Sequence, residues 1–214
     1  MRVRAKVCGL TRPEDAATAA EAGASFLGVV FAGGPRLVTP AQAAEVTAAA
    51  NGVPVFGVYG TQSVEDILRI SHAAGLSGAQ LHGPYPRAAA ARLRTEGLKV
   101  WRVVRIATPD DLDALADAVR DADAVLVEPH VPHALGGAGV SLDLAVAREA
   151  RARLAGATMV LAGGLTPESV AEALGLVRAE VVDVSSGVEY LPGIKDPDKI
   201  ARFLEALFGP SPIA

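Results

Sequence analysis

Side chains able to do chemistry gather in a few short stretches of this chain. They are Lys6-Val7-Cys8-Gly9-Leu10-Thr11, Arg36 after Gly33-Gly34-Pro35, Gln80-Leu81-His82-Gly83, Glu128-Pro129, Gly163-Gly164, and Asp183-Val184-Ser185-Ser186-Gly187-Val188-Glu189. A thiol such as Cys8, with a reference pKa near ~8.5, serves as a base only where positive charge or oriented N–H groups favour the thiolate. By residue type alone a buried structural cysteine is the favoured reading, and the place of Cys8 before Gly9 at the end of a strand reverses it. A carboxylic acid such as Glu128 can hand over a proton, and a guanidinium such as Arg36 forks onto a carboxylate. Glycines allow close backbone approach, and free N–H groups at a helix start hold an anion without any lysine. His82 either lines a pocket or braces a rim. Glu128, His130 and His133 invite a metal reading, but Pro129 and Pro132 rule out a regular helical His pair and no ligand on another strand is evident. Loop histidines, exposed or touching a ligand, are the expectation.

These stretches need elements to position them. Short Val-rich runs predict strands at Val3–Val7, Phe26–Phe31, Val55–Tyr59, Gly78–Leu81, Val100–Val104, Ala124–Val127, Met159–Ala162 and Val181–Val184. Their near-continuous apolarity suits parallel strands covered on both faces. Ala- and Leu-rich stretches between them predict helices at Pro13–Ala22, Pro40–Ala50, Ser63–Ala74, Pro86–Thr95, Pro109–Arg120, Leu142–Leu154, Pro167–Val177 and Pro197–Phe208. Thr39-Pro40, Thr108-Pro109, Thr166-Pro167 and Asp196-Pro197 each set a capping oxygen before a proline at the first helical position, and Thr11-Arg12-Pro13 offers a comparable start. Strict alternation predicts an α/β fold, a single closed (β/α)8 TIM barrel over residues 1–214 with 210–214 a loose tail. The competing open doubly wound sheet has little room for its edges, and the first strand–helix turn lacks G-x-G-x-x-G. In a barrel every stretch named above falls at the C-terminal end of a strand, where such folds do their chemistry. The loops after strands seven and eight, carrying Gly163, Gly164, Ser186 and Gly187, are then the expected phosphate site.

Composition narrows the function classes. Half of the 214 residues are apolar and the formal charge is −4, without a basic run, so no nucleic-acid or anionic-membrane footprint is present. No apolar stretch reaches the roughly 18 residues of a membrane helix, and no signal peptide is evident. The single cysteine excludes an intramolecular disulfide and a Cys-based zinc site. The expectation is a cytoplasmic protein, monomer or homodimer, acting on a small phosphorylated sugar without nucleic-acid or membrane partners.

Lys6-Val7-Cys8-Gly9-Leu10-Thr11, Gln80-Leu81-His82-Gly83, Ala162-Gly163-Gly164-Leu165 and Asp183-Val184-Ser185-Ser186-Gly187-Val188-Glu189, with Pro192-Gly193 and Lys195-Asp196, together resemble the phosphoribosylanthranilate isomerase family. The match runs in order from Lys6 to about Phe208. The resemblance implies tryptophan biosynthesis and an Amadori rearrangement of N-(5-phosphoribosyl)anthranilate to carboxyphenylamino-deoxyribulose phosphate. It implies Cys8 as general base, Arg36 on the anthranilate carboxylate and Asp183 beside the ribose. No cofactor or metal is expected, because the substrate nitrogen is itself the electron sink.

The chain departs from the family pattern in three places. Glu128 stands where the family has its aspartate general acid, ahead of Gly136-Gly137-Ala138-Gly139 in place of Gly-Gly-Thr-Gly. The loop Phe31-Ala32-Gly33-Gly34-Pro35-Arg36 is one residue short of the family form, and Val58-Tyr59-Gly60-Thr61 replaces the commoner Phe-Val-Asn. Glu128 retains a proton donor but moves it by one methylene. Two alternatives follow: an isomerase of a related phosphorylated aminosugar, or a phosphate-binding barrel without catalysis.

Overall fold

Eight strands, all parallel to their neighbours, close on themselves in the order β1 to β8: β1 (Arg4–Val7), β2 (Phe26–Val30), β3 (Val55–Tyr59), β4 (Gly78–Leu81), β5 (Lys99–Ile106), β6 (Ala124–Pro129), β7 (Met159–Leu161) and β8 (Val181–Val184). The register Lys6↔Asp183 and Val7↔Val184 joins the last strand to the first. The computed structural model describes residues 3–131 and 140–209. His133, the glycine run at 136–139 and the tail at 210–214 lie outside the described residues.

Helices α1 (Pro13–Glu21), α2 (Pro40–Ala48), α3 (Val64–Ala73), α4 (Arg87–Thr95), α5 (Leu115–Arg120), α6 (Leu144–Arg153), α7 (Val170–Val177) and α8 (Pro197–Phe208) follow the eight strands in turn. Their starts are chemically distinct. Thr39 and Gln42 form a reciprocal capping box at α2, and Asp196 Oδ1 accepts from the Asp198 and Lys199 amides at α8. At Thr108 a 3-10 turn, Pro109–Ala114, precedes α5, and Asp111 Oδ2 accepts from the Ala107 and Thr108 amides.

Two expected caps are corrected. Residues Pro167 to Ser169 form a turn, with the Thr166 amide donating to Ser169 Oγ, so α7 begins only at Val170. At α1, which does begin at Pro13, no side chain caps an amide: the Arg12 guanidinium donates to Asp15 (Nε to Oδ2, 3.0 Å), and the Thr11 hydroxyl donates to the Gly193 carbonyl. Strands β5 and β6 run to Ile106 and Pro129, beyond their apolar runs, because a parallel ladder accepts charged residues wherever neighbouring strands pair. A small antiparallel hairpin, β9 (Glu189–Leu191) and β10 (Ile194–Lys195), fills the connection from β8 to α8 and was not anticipated.

Period-two alternation divides each strand between the helix layer and the barrel interior. The interior holds Phe56, Trp101, Ala124, Leu126, Val160, Ala162 and Val181, with Phe26 and Val103 packed on them. The same alternation carries Arg105 after Val103, Glu128 after Leu126 and Asp183 after Val181 into the barrel toward its C-terminal mouth. Tyr59 belongs to the other layer. It is fully buried, stacks on Phe31 with centroids 5.2 Å apart, and pairs its hydroxyl with Ser71 Oγ of α3 at 2.9 Å. Its departure from the family pattern is thus a repacking of strand against helix rather than a change in the ligand-facing surface.

Candidate active site

Cys8 directly follows β1, buried at the mouth, its amide donating to the Val184 carbonyl at 2.8 Å. Beneath it lies Lys6, with 0% of its side chain exposed, whose ammonium donates to both oxygens of Asp183 at 3.1 Å and to Gln80 Oε1 at 3.0 Å. Burial pushes the Cys8 thiol above its usual value, while the Lys6 cation pulls the other way. Burial opposes the Lys6 charge too, yet Asp183 and Cys8 together hold it above the ordinary ammonium value. The Asp183 carboxyl is pushed up by burial and restrained by Lys6. Gly28 makes room for this arrangement: a Cβ there would lie 2.8 Å from Cys8 Sγ and 3.1 Å from Lys6 Nζ.

Arg36 is not a solvated surface residue. Only 11% of its side chain is exposed, and its Nε and Nη2 donate to the two oxygens of Glu189 at 2.7 and 2.6 Å. Glu189 Oε1 also accepts from Lys195 Nζ at 2.9 Å and from the Gly193 amide at 3.2 Å. Burial alone would raise the Glu189 carboxyl, but Arg36 and Lys195 bring it below its ordinary value. Burial lowers Lys195, whose Nζ also donates to the Ser185 carbonyl. The Arg36 chain crosses Gly9, where a Cβ would meet Arg36 Cδ at 2.5 Å and Ser185 Oγ at 2.8 Å, and where φ is +73°. Cys8, Arg36 and the loop after β8 therefore share one corner of the mouth.

The loops after β6, β7 and β8 stack through glycines. A Cβ at Gly163 would fall 2.2 Å from Pro129 Cδ, one at Gly164 2.7 Å from the Ser141 amide nitrogen, and one at Gly187 1.9 Å from the Leu165 carbonyl oxygen. Gly163 and Gly164 also have φ of +102° and +63°, open to glycine and strained for other residues. Ser186 opens the short 3-10 turn Ser186–Val188 beside them.

His82 and Glu128 come together on the far side. His82 Nε2 lies 2.7 Å from Glu128 Oε1, with 3% and 9% of the two side chains exposed. Arg105 Nε reaches the same oxygen at 3.3 Å. His130 sits at the end of β6, its amide donating to the Ile106 carbonyl. Among the described residues no group of three or more His, Cys, Asp and Glu side chains is placed to hold a metal ion.

Every proposed site residue within the described chain thus lies at the C-terminal mouth. Lys6, Gln80, Glu189 and Lys195, quoted within longer motifs but given no role of their own, join them, as does Arg105, which no motif contained. Arg105 had a detectable signal, a charge inside a Val-rich run. Lys6 and Gln80 had another, each standing two residues before Cys8 and His82 and hence on the same strand face.

A family model described as N-(5'phosphoribosyl)anthranilate (PRA) isomerase matches residues 5–206. Relatives named N-(5'-phosphoribosyl)anthranilate isomerase include one from Trichlorobacter lovleyi, 40% identical over 94% of this chain and 96% of that protein. Another, from Paracoccus denitrificans, is 40% identical over 98% and 99%. Among solved structures, the phosphoribosyl anthranilate isomerase of Thermotoga maritima superimposes with a TM-score of 0.86 at 33% identity, over 97% of this chain and 99% of that one. A second structure, of an isomerase in complex with reduced 1-(o-carboxyphenylamino)-1-deoxyribulose 5-phosphate, gives 0.83 at 32% identity over the same shares. With its barrel, its mouth residues and these relatives in agreement, the chain belongs to the N-(5'-phosphoribosyl)anthranilate isomerase family.

Proposed function

We propose that the protein converts N-(5'-phosphoribosyl)anthranilate to the carboxyphenylamino-deoxyribulose phosphate in tryptophan biosynthesis. The observation that carries this reading is the placement of Cys8 just past β1 and Glu128 on β6, with the glycine loops after β7 and β8 between them around the rim. A phosphate held at Gly163, Gly164, Ser186 and Gly187 sets the ribose between a base and an acid. Glu128 gives its proton to the ring oxygen, the C1–O bond breaks onto that oxygen, and the substrate nitrogen becomes an iminium. The Cys8 thiolate removes the C2 proton, and those electrons neutralise the iminium as an enolamine that tautomerises to the ketone. Solvent returns the two catalytic groups to their starting protonation states.

Arg36, already fixed by Glu189 along its Nε–Nη2 edge, keeps Nη1 for the anthranilate carboxylate. Asp183 acts beneath the ribose, holding Lys6 under Cys8. The need for a reduced thiol suits a cytoplasmic setting. Among the described residues no helix is long and apolar enough to cross a membrane.

Assay of the purified protein on the aminoaldose tests the reading. Turnover should be nearly abolished by Cys8→Ala and by Glu128→Ala with the fold intact, and full activity of Glu128→Ala would exclude Glu128 as the acid. Robust rescue of an auxotroph lacking this step would exclude the alternative of a related aminosugar substrate.

A further inference from the structure

The pairing around Glu128 goes further than naming an acid. Arg105 and Glu128 are register partners on β5 and β6, so the strand ladder itself fixes their approach. An arginine nitrogen only donates, so Glu128 Oε1, 3.3 Å from Arg105 Nε, is an acceptor. His82 Nε2 lies 2.7 Å from that same oxygen, so with the imidazole as its Nε2–H tautomer both contacts donate into Oε1. His82 Nδ1 is buried with no hydrogen-bond partner, so among the described residues the ring's polar attachment is Glu128. In that arrangement the proton of a neutral Glu128 is carried by Oε2, which makes no hydrogen bond to the described residues.

We propose that His82, together with Arg105, is a positioning residue for the general acid: the two pin Oε1 and thereby present Oε2 and its proton to the substrate's ring oxygen. This rests on the isomerase reading above and adds to it. When the Oε2–H bond breaks and the proton passes to the ring oxygen, the carboxylate left behind is already held by two N–H donors. The longer glutamate arm reaches both donors, so the extra methylene is anchored rather than loose. Asp183, with Lys6 bound to it, faces the same carboxyl across the mouth and is electrostatically coupled to it.

Steady-state kinetics and imidazole ¹⁵N NMR test the proposal together. His82→Ala should lower kcat by about 10- to 100-fold, the scale of a misplaced catalytic group, with KM little changed. His82→Gln, whose terminal amide can donate from nearly the Nε2 position, should recover most of that loss, and Arg105→Met should lower kcat in the same sense. The spectrum of the wild type should show the proton on Nε2, a preference removed in Glu128→Ala. A proton on Nδ1, or a raised KM with kcat intact in His82→Ala, would overturn the proposal alone. A wild type without isomerase activity would overturn the isomerase reading, and this proposal with it.

Discussion

Cys8 stands two residues beyond Lys6 on β1, so strand alternation sends both side chains into the barrel on one face. Burial raises the thiol above its ordinary value, which has consequences of opposite sign for rate and stability. The base works as thiolate, so the Cys8 contribution to kcat/KM should grow as pH rises toward the raised thiol value, while the need for a protonated Glu128 acts in the opposite sense. Stability should fall, because the unfolded chain loses its thiol proton at a lower pH than the folded one. The stabilising contribution is therefore complete below the ordinary thiol pKa and lost as pH rises through the raised value. Denaturant midpoints measured from neutral into alkaline pH should decline, and Cys8→Ala should flatten that decline. Glu128 yields a second expectation: Glu128→Asp withdraws the carboxyl from His82 and Arg105, so kcat should fall by roughly 10-fold or more rather than rise, as rate measurements on the pair would show. The positions of Cys8, Arg36, His82, Glu128 and Asp183 were legible because each ends a recognisable strand or its loop. Their partners were not. Glu189 reaches Arg36 across 153 residues of sequence, a separation no local pattern encodes, and Lys195 enters only through a hairpin that leaves no alternating signal.

At the scale of elements, the site depends on how closely the loops after β7 and β8 approach. Gly187 meets the Leu165 carbonyl oxygen at a distance no Cβ can tolerate, and that atom is backbone, so Gly187→Ala must part the two loops. The variant should lose about 1–3 kcal/mol of stability, as overpacking does, and should raise KM and weaken competition by inorganic phosphate. Gly175, inside α7 with open space around its Cβ position, provides the contrast. Gly175→Ala should be stabilising by roughly 0.5–1 kcal/mol from helix propensity alone, with kinetics unchanged. Thermal melts and phosphate inhibition curves of both variants separate the two effects. Strand positions were readable because parallel strands are apolar on both faces, and helix starts because proline and a capping oxygen are local. The start at Thr166-Pro167 misled because Ser169 competes for the Thr166 amide and holds a turn ahead of α7. The altered residue Tyr59 looked like a change near the ligand, since sequence alternation alone does not say which face of β3 is inward.

Across the whole molecule the barrel interior is built in two chemistries. Its floor is an aromatic cluster, with Phe26–Phe56, Phe26–Trp101 and Phe56–Trp101 centroids at 5.7, 5.2 and 4.5 Å. Next to it, toward the mouth, lies the Lys6–Gln80–Asp183 layer, with the Lys6 ammonium 5.7 Å from the Trp101 ring centroid. A buried ion pair is weak evidence for stability, since desolvation offsets much of the attraction, whereas removing one partner leaves an uncompensated charge. Lys6→Met should therefore destabilise by about 3–5 kcal/mol. Lys6→Met/Asp183→Leu, which replaces the whole pair by apolar bulk, should recover a large part of that loss. If the layer exists for stability, the double variant should be the weaker of the two. If it exists to hold a cation beneath Cys8, the double variant should fold well and still fail to turn over substrate. Denaturant unfolding together with the isomerase assay decides between them. The contacts Lys6 makes with Asp183 and Gln80, directly under the thiol, favour the second outcome.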